Sequence, residues 1–162
     1  MAPRGRRIWV RTLAACSLLL LGPVAAAAQS NGAFGVELRI DGLAGGRESP
    51  AALHAGAGVI RRLGTYARVA LVGGAGPSED GISWRLESAA RFHLDPFRQR
   101  RWGVYGGAGA GIHWADSAEP FLLILLGAEG GSRGGWAPAI ELGLSRGARL
   151  GVVLRRAAPD RR

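Results

Sequence analysis

The chain of 162 residues has one cysteine, one methionine, no lysine and few aromatic residues, 7% in all. With Cys16 alone, an intrachain disulfide framework and a cysteine-based metal centre are excluded. Without lysine, all 21 basic residues are arginine. Arginine stays charged and can grip a carboxylate through two parallel N–H donors, so it suits ion pairs removed from water. Beyond residue 28 no apolar run approaches the roughly 20 residues that a membrane-spanning helix needs.

The long apolar stretch lies at the front. Arg4, Arg6, Arg7 and Arg11 precede an apolar block from Leu13 to Val24 and a small-residue exit from Ala25 to Ala28. This is the pattern of an export signal, with cleavage expected after Ala28. An uncleaved anchor helix is disfavoured because Gly22 and Pro23 interrupt the block. Leu13-Ala14-Ala15-Cys16 has the form of a lipoprotein box, but the apolar residues 17–21 follow the cysteine instead of preceding it. Residues 29–162 are then read as one barrel domain, which holds 17 arginines against 12 acids. A basic excess raises nucleic acid as a partner. The export signal and the interleaving of arginines with acids argue against it, and no nucleic-acid partner is expected.

What fills the rest of the chain is alternation. In residues 81–94, Ile82, Trp84, Leu86, Ala90, Phe92 and Leu94 alternate with Ser83, Arg85, Glu87, Arg91 and His93. Side chains change faces at every strand residue, so one face is apolar and the other charged. Phe34, Val36, Leu38 and Ile40 alternate in the same way with Gly35, Glu37, Arg39 and Asp41, and the pattern returns over residues 136–145 and 148–155. Strands are expected near 33–41, 52–62, 65–74, 81–94, 101–114, 119–129, 135–145 and 147–156. In the third, Ala67, Val69 and Leu71 could face out with Tyr66 and Arg68 in. Residues 54–62 show no clear register. Residues 119–129 are apolar on both faces, compatible with a strand or a short helix, and placing Glu129 inward turns Leu122, Ile124, Leu126 and Ala128 outward. Short connectors rich in turn formers favour hairpins. The first and third of them, 41–50 and 74–81, are longer than the second.

Strands of this length with one apolar face suit an all-β, eight-stranded antiparallel up-and-down transmembrane β-barrel. An open sheet in hydrocarbon leaves unpaired backbone groups that cost several kcal/mol each, so the sheet must close. Trp102 and Trp114 share the outward face twelve residues apart. At about 3.3 Å per residue and a tilt of about 40° they are separated by roughly 30 Å along the membrane normal. With Trp84 and Trp136 they are the expected membrane-interface aromatics. Gly103, Gly107, Gly109 and Gly111 face inward with Tyr105 and His113, leaving room for long side chains. This run lacks the spacing of a phosphate-binding loop.

Glu37, Arg39, Asp41, Arg68, Arg85, Glu87, Arg91, Glu129, Glu141, Arg149 and Arg155 then share one lumen as mutual ion pairs. The expected result is a cross-linked plug. His113, Asp116 and Ser117 are the one compact set resembling a catalytic trio, though Asp-Ser is equally a turn pair. His54 and His93 read as wall residues. No catalytic residue, cofactor or metal site is expected, since no histidines have ligand spacing.

The segment from Leu94 to Gly111, a charged turn running into an aromatic and glycine-rich strand, joins the signal, the eight alternating segments and the aromatic ends in a pattern that resembles small bacterial outer-membrane β-barrels of the OmpA/OmpX type. The resemblance covers residues 33–156. It implies a non-enzymatic, monomeric barrel in the outer membrane of a Gram-negative-type bacterium, with lipid as its partner and a structural or undefined surface role. One departure is the ending Ala157-Ala-Pro-Asp-Arg-Arg162, where such barrels usually end in an aromatic residue. The alternatives are an exported lipocalin-like barrel with its apolar rows inward around a small ligand, and a lipid-modifying outer-membrane enzyme.

Overall fold

A computed structural model describes residues 34–44, 51–79, 81–94 and 102–156. They form eight strands: β1 (Gly35–Ala44), β2 (Ala52–Arg62), β3 (Ala67–Ser78), β4 (Gly81–His93), β5 (Trp102–Trp114), β6 (Ala118–Gly130), β7 (Trp136–Leu144) and β8 (Ala148–Arg156). Each pairs antiparallel with its chain neighbours, and β1 pairs with β8 from Val36↔Arg156 to Ala44↔Ala148. The sheet is therefore a closed up-and-down barrel without free edges. The expected signal segment, residues 1–28, lies outside the described residues, as does the ending 157–162.

Alternation of side chains becomes alternation of environment. Along β4, Ser83, Arg85, Glu87, Ala89, Arg91 and His93 are buried, while Ile82, Trp84, Leu86 and Phe92 are exposed. The same holds in β1 and β8. The greasy rows are on the outer wall: Ile40, Leu122, Ile124, Leu142 and Val152 are all more than half exposed. Charged side chains are inside.

One open reading closes on the strand expected at 119–129, and other sequence expectations change. Residues 118–130 are a strand and not a helix, with Leu122, Ile124 and Leu126 outward and Leu123 and Leu125 packed inward. Both faces are apolar because the lumen has an apolar layer there: Leu123 and Leu125 meet Ala89, Tyr105, Ala139 and Val153. In β2 the inward positions are His54, Gly56, Gly58 and Ile60. Two glycines carry no polarity to contrast with the outward row, which hid the register. A Cβ on Gly58 would collide with the Leu71 carbonyl oxygen and with Val72, so this wall needs the bare backbone. Tyr66, expected to point in, is exposed in the connector between β2 and β3.

The connector expected at 74–81 is largely strand. Gly73, Gly74, Ala75 and Gly76 look like turn residues, but they pair with Leu86, Arg85, Trp84 and Ser83 of β4. Only two positions, 79 and 80, separate β3 from β4, and Gly81 opens β4 with φ of 121°, a left-handed conformation that glycine adopts freely. The first connector, 45–51, is longer than the second, 63–66, as expected, but the third is shorter than both. The rim bearing the start of β1 and the end of β8, here the terminal rim, has connectors 63–66, 94–101 and 131–135. The opposite rim has 45–51, 79–80, 115–117 and 145–147.

Candidate functional site

The lumen is built from short columns. β1 turns Glu37, Arg39 and Asp41 inward at two-residue spacing, so an acid, a base and an acid stand one above another. β4 adds Arg85, Glu87 and Arg91, β8 adds Arg149 and Arg155, and β3, β6 and β7 contribute Arg68, Glu129 and Glu141. All eleven belong to one connected set of ion pairs. Arg39 is its hub, with N···O distances of 3.2 Å to Glu37, 2.7 Å to Asp41, 2.8 Å to Glu87 and 2.7 Å to Glu141. Its side chain is fully enclosed.

Toward the terminal rim, Arg91 holds Glu37 at 2.9 Å and Glu141 at 3.1 Å. Arg155 joins Glu37 at 2.8 Å and Glu129 at 2.9 Å, and Glu129 takes Arg68 at 2.9 Å. Toward the opposite rim, Arg149 contacts Asp41 at 3.0 Å and Glu87 at 2.8 Å, and Arg85 also pairs with Asp41. Each carboxylate is shared by at least two guanidiniums, which offsets the cost of removing the charges from water.

Glycine makes this density possible. Gly56 faces the Arg39 stem, Gly74 the Arg85 guanidinium and Gly107 the Arg91 stem, at 3.2 to 3.5 Å from where a Cβ would stand. A Cβ on Gly151 would run into the Asp41 carboxylate, and one on Gly127 into the Tyr105 ring.

Some members of the lumen were not anticipated as participants. The Tyr105 hydroxyl donates to Glu141 at 2.8 Å, its ring lies 4.9 Å from the Arg155 guanidinium carbon, and His93 stacks on it at 5.0 Å. His54 Nε2 and Ser83 Oγ are 2.7 Å apart, both fully buried. Arg146 contacts His113 Nδ1 at 2.6 Å and pairs with Glu119. Ser83 and Tyr105 lie in the inward rows of their strands, which placed them inside, but no local signal named their partners.

The trio of His113, Asp116 and Ser117 does not assemble as a catalytic set. Ser117 Oγ donates to Glu119 at 3.4 Å, His113 is engaged by Arg146, and Asp116 is exposed in the connector. Among the described residues no group of three or more His, Cys, Asp or Glu is placed to hold a metal ion.

The four tryptophans among the described residues fall at the two ends of the outer wall. Trp84 lies directly across the β4–β5 ladder from Trp114 near the opposite rim. Trp102 and Trp136 open β5 and β7 at the terminal rim, beside exposed Phe34, Tyr66 and Phe92.

No family model and no curated protein matches the chain. Solved structures do match its fold. Crystal structures of Neisserial surface protein A and of the N-terminal β-barrel domain of Pseudomonas aeruginosa OprF are similar, at 11% and 17% identity with TM-scores of 0.57 and 0.53. Each alignment covers 77% of this chain, and 96% and 99% respectively of the other. A de novo designed transmembrane β-barrel matches at 13% identity and a TM-score of 0.52, over 80% of this chain and 98% of the design. The fold is thus that of small eight-stranded outer-membrane barrels.

Proposed function

We propose that the protein is a small, monomeric, non-enzymatic β-barrel of the bacterial outer membrane, with a lumen plugged by its own ion pairs and a structural role in that membrane. The observation that carries this reading is the direction of the two faces. Rows of Leu, Ile, Val and Trp cover the outside of a closed barrel, while ten charged side chains are buried within it and an eleventh, Arg68, is partly buried. Hydrocarbon is the solvent that suits such a wall, and closure satisfies every strand edge within it. Eight strands leave an interior that side chains can fill. Here the Arg39 hub and the layer of Leu123, Leu125 and Tyr105 fill it.

The lipocalin-like alternative needs apolar side chains around a central cavity and charges in water, the reverse of what is observed. Against the enzymatic alternative stand the other engagements of its trio: Ser117 donates to Glu119, and Arg146 contacts His113. His54 and Ser83 do touch, but both are fully buried, and no third group orients the histidine among the described residues.

Membrane fractionation with a heat-modifiability gel tests the reading. The protein should pellet with outer membrane and migrate differently before and after boiling. Recovery in a soluble periplasmic fraction refutes it.

A further inference from the structure

The charges outside the lumen are sorted by rim. Among the described residues, Arg133, Arg156 and the largely covered Arg61 stand outside the lumen at the terminal rim, where no Asp or Glu does, while Arg62, opposite Arg68 in the ladder, stands at the mouth of the lumen. At the opposite rim stand Glu79, Asp116 and Glu119 with Arg146 alone among the bases. The connectors continue the trend in sequence. Residues 94–101, which join β4 to β5 at the terminal rim, include Arg98, Arg100 and Arg101 against Asp95, whereas Arg47 and Glu48 cancel within 45–51 and Asp80 adds an acid at 79–80.

The terminal-rim arginines are also concentrated on one stretch of wall. The strand order β7–β8–β1–β2 is continuous. Trp136 of β7 pairs across the ladder with Arg156 of β8, whose guanidinium lies 5.7 Å from the indole centre. Arg156 pairs in turn with Val36 of β1. Phe34, just before β1, lies 5.5 Å from the guanidinium of Arg61 of β2, which it helps to cover. Arg133 is bridged to Trp136 through two backbone hydrogen bonds of 2.8 and 3.1 Å. Below this patch the apolar band begins at once with Val36, Leu38, Val152 and Leu154.

We propose that Arg133 and Arg156 around Trp136 bind the phosphate headgroups of anionic phospholipids in the leaflet that meets the terminal rim. The inference rests on the membrane reading above. Aromatic rings with arginines over them belong at the boundary of hydrocarbon and headgroup. A guanidinium fork matches two phosphate oxygens, and the adjoining apolar wall takes the acyl chains. Charge complementarity selects an anionic lipid over a zwitterionic one. The acid-bearing opposite rim does not share the preference.

Native mass spectrometry of the detergent-solubilised protein with equimolar phosphatidylglycerol and phosphatidylcholine tests it. One arginine near a membrane surface favours an anionic lipid about fivefold. The wild-type protein should therefore carry phosphatidylglycerol at least about fivefold more often. The double variant Arg133→Gln, Arg156→Gln should lose the preference, and Glu79→Gln with Glu119→Gln should keep it. Folding of each variant is read from gel mobility before boiling. Should the arginine variant fail to fold, the wild type alone decides. Its preference must collapse from about 0.1 M to about 1 M salt, as the screening length falls from about 10 to about 3 Å. Equal binding of the two lipids, a preference that survives the arginine variant, or one indifferent to salt overturns the inference. A chain that stays in water without detergent refutes the membrane reading itself, a separate outcome.

Discussion

Replacing Arg39 by methionine removes the hub of the lumen while keeping most of the side-chain length. Its four carboxylate neighbours do not become orphans, because each keeps another arginine. Glu37 and Glu141 retain Arg91 and Arg155, Asp41 retains Arg85 and Arg149, and Glu87 retains Arg149. Breaking a buried ion pair by removing one partner costs about 3–5 kcal/mol. With every acid still partnered, the lower end, about 3 kcal/mol, is expected. The assay is equilibrium urea unfolding of the barrel refolded into lipid vesicles, followed by tryptophan fluorescence. With a slope of about 2 kcal/mol per M, the midpoint should fall by about 1.5 M. Adding Glu141→Gln should cost less than the sum of the two single changes, with a coupling of about 0.5–3 kcal/mol. A midpoint within experimental error of wild type for Arg39→Met, or strict additivity with Glu141→Gln, refutes the view that the network holds the lumen together.

Four further outcomes are expected. Ile140→Arg places a guanidinium on the outer wall near the middle of β7 and should destabilise the vesicle-embedded barrel by about 2–4 kcal/mol in the same urea assay; a neutral result means that the wall does not face hydrocarbon. Gly127→Ala drives a methyl into the Tyr105 ring and should cost about 1–3 kcal/mol, and pairing it with Tyr105→Phe should not relieve the clash, because the ring remains. In planar bilayers the wild-type protein should show no stepwise conductance, since charged and apolar side chains fill its interior; regular single-channel steps contradict the plug. Ser117→Ala should leave folding and any lipid-ester turnover of a purified sample unchanged, and loss of such turnover in the variant restores the enzymatic reading.

The sequence was most legible where the two faces differ in chemistry. β4 and β8 are bounded by their own alternation to within a residue, because an outward Leu or Trp is followed each time by an inward Arg, Glu, Gly or Ser. β2 was opaque because Gly56 and Gly58 occupy its inward positions, and the run Gly73 to Gly76 imitated a turn for the same reason. At Gly56, Gly58 and Gly76 a Cβ would meet the backbone of the neighbouring strand, which no local stretch of sequence shows. The partnerships inside were beyond local reading as well. Arg39 and Glu141 meet across 102 residues of chain, and which acid each arginine takes depends on the stagger of the closed sheet. Placing β3 residues 75–78 in a strand needed the ladder to β4, again a nonlocal fact.

The seam between β1 and β8 sets a condition on how this molecule comes into being. Glu37, Arg39 and Asp41 stand on the first strand, yet Arg149 and Arg155, which complete the set around Asp41 and Glu37, stand on the eighth. A chain cut before residue 148 would retain two open edges and a column of half-satisfied acids, a state with no comfortable place in either oil or water. Such long-range pairing makes formation slow and cooperative. Quality control is thereby written into the geometry: only a chain that has delivered β8 to β1 can lock.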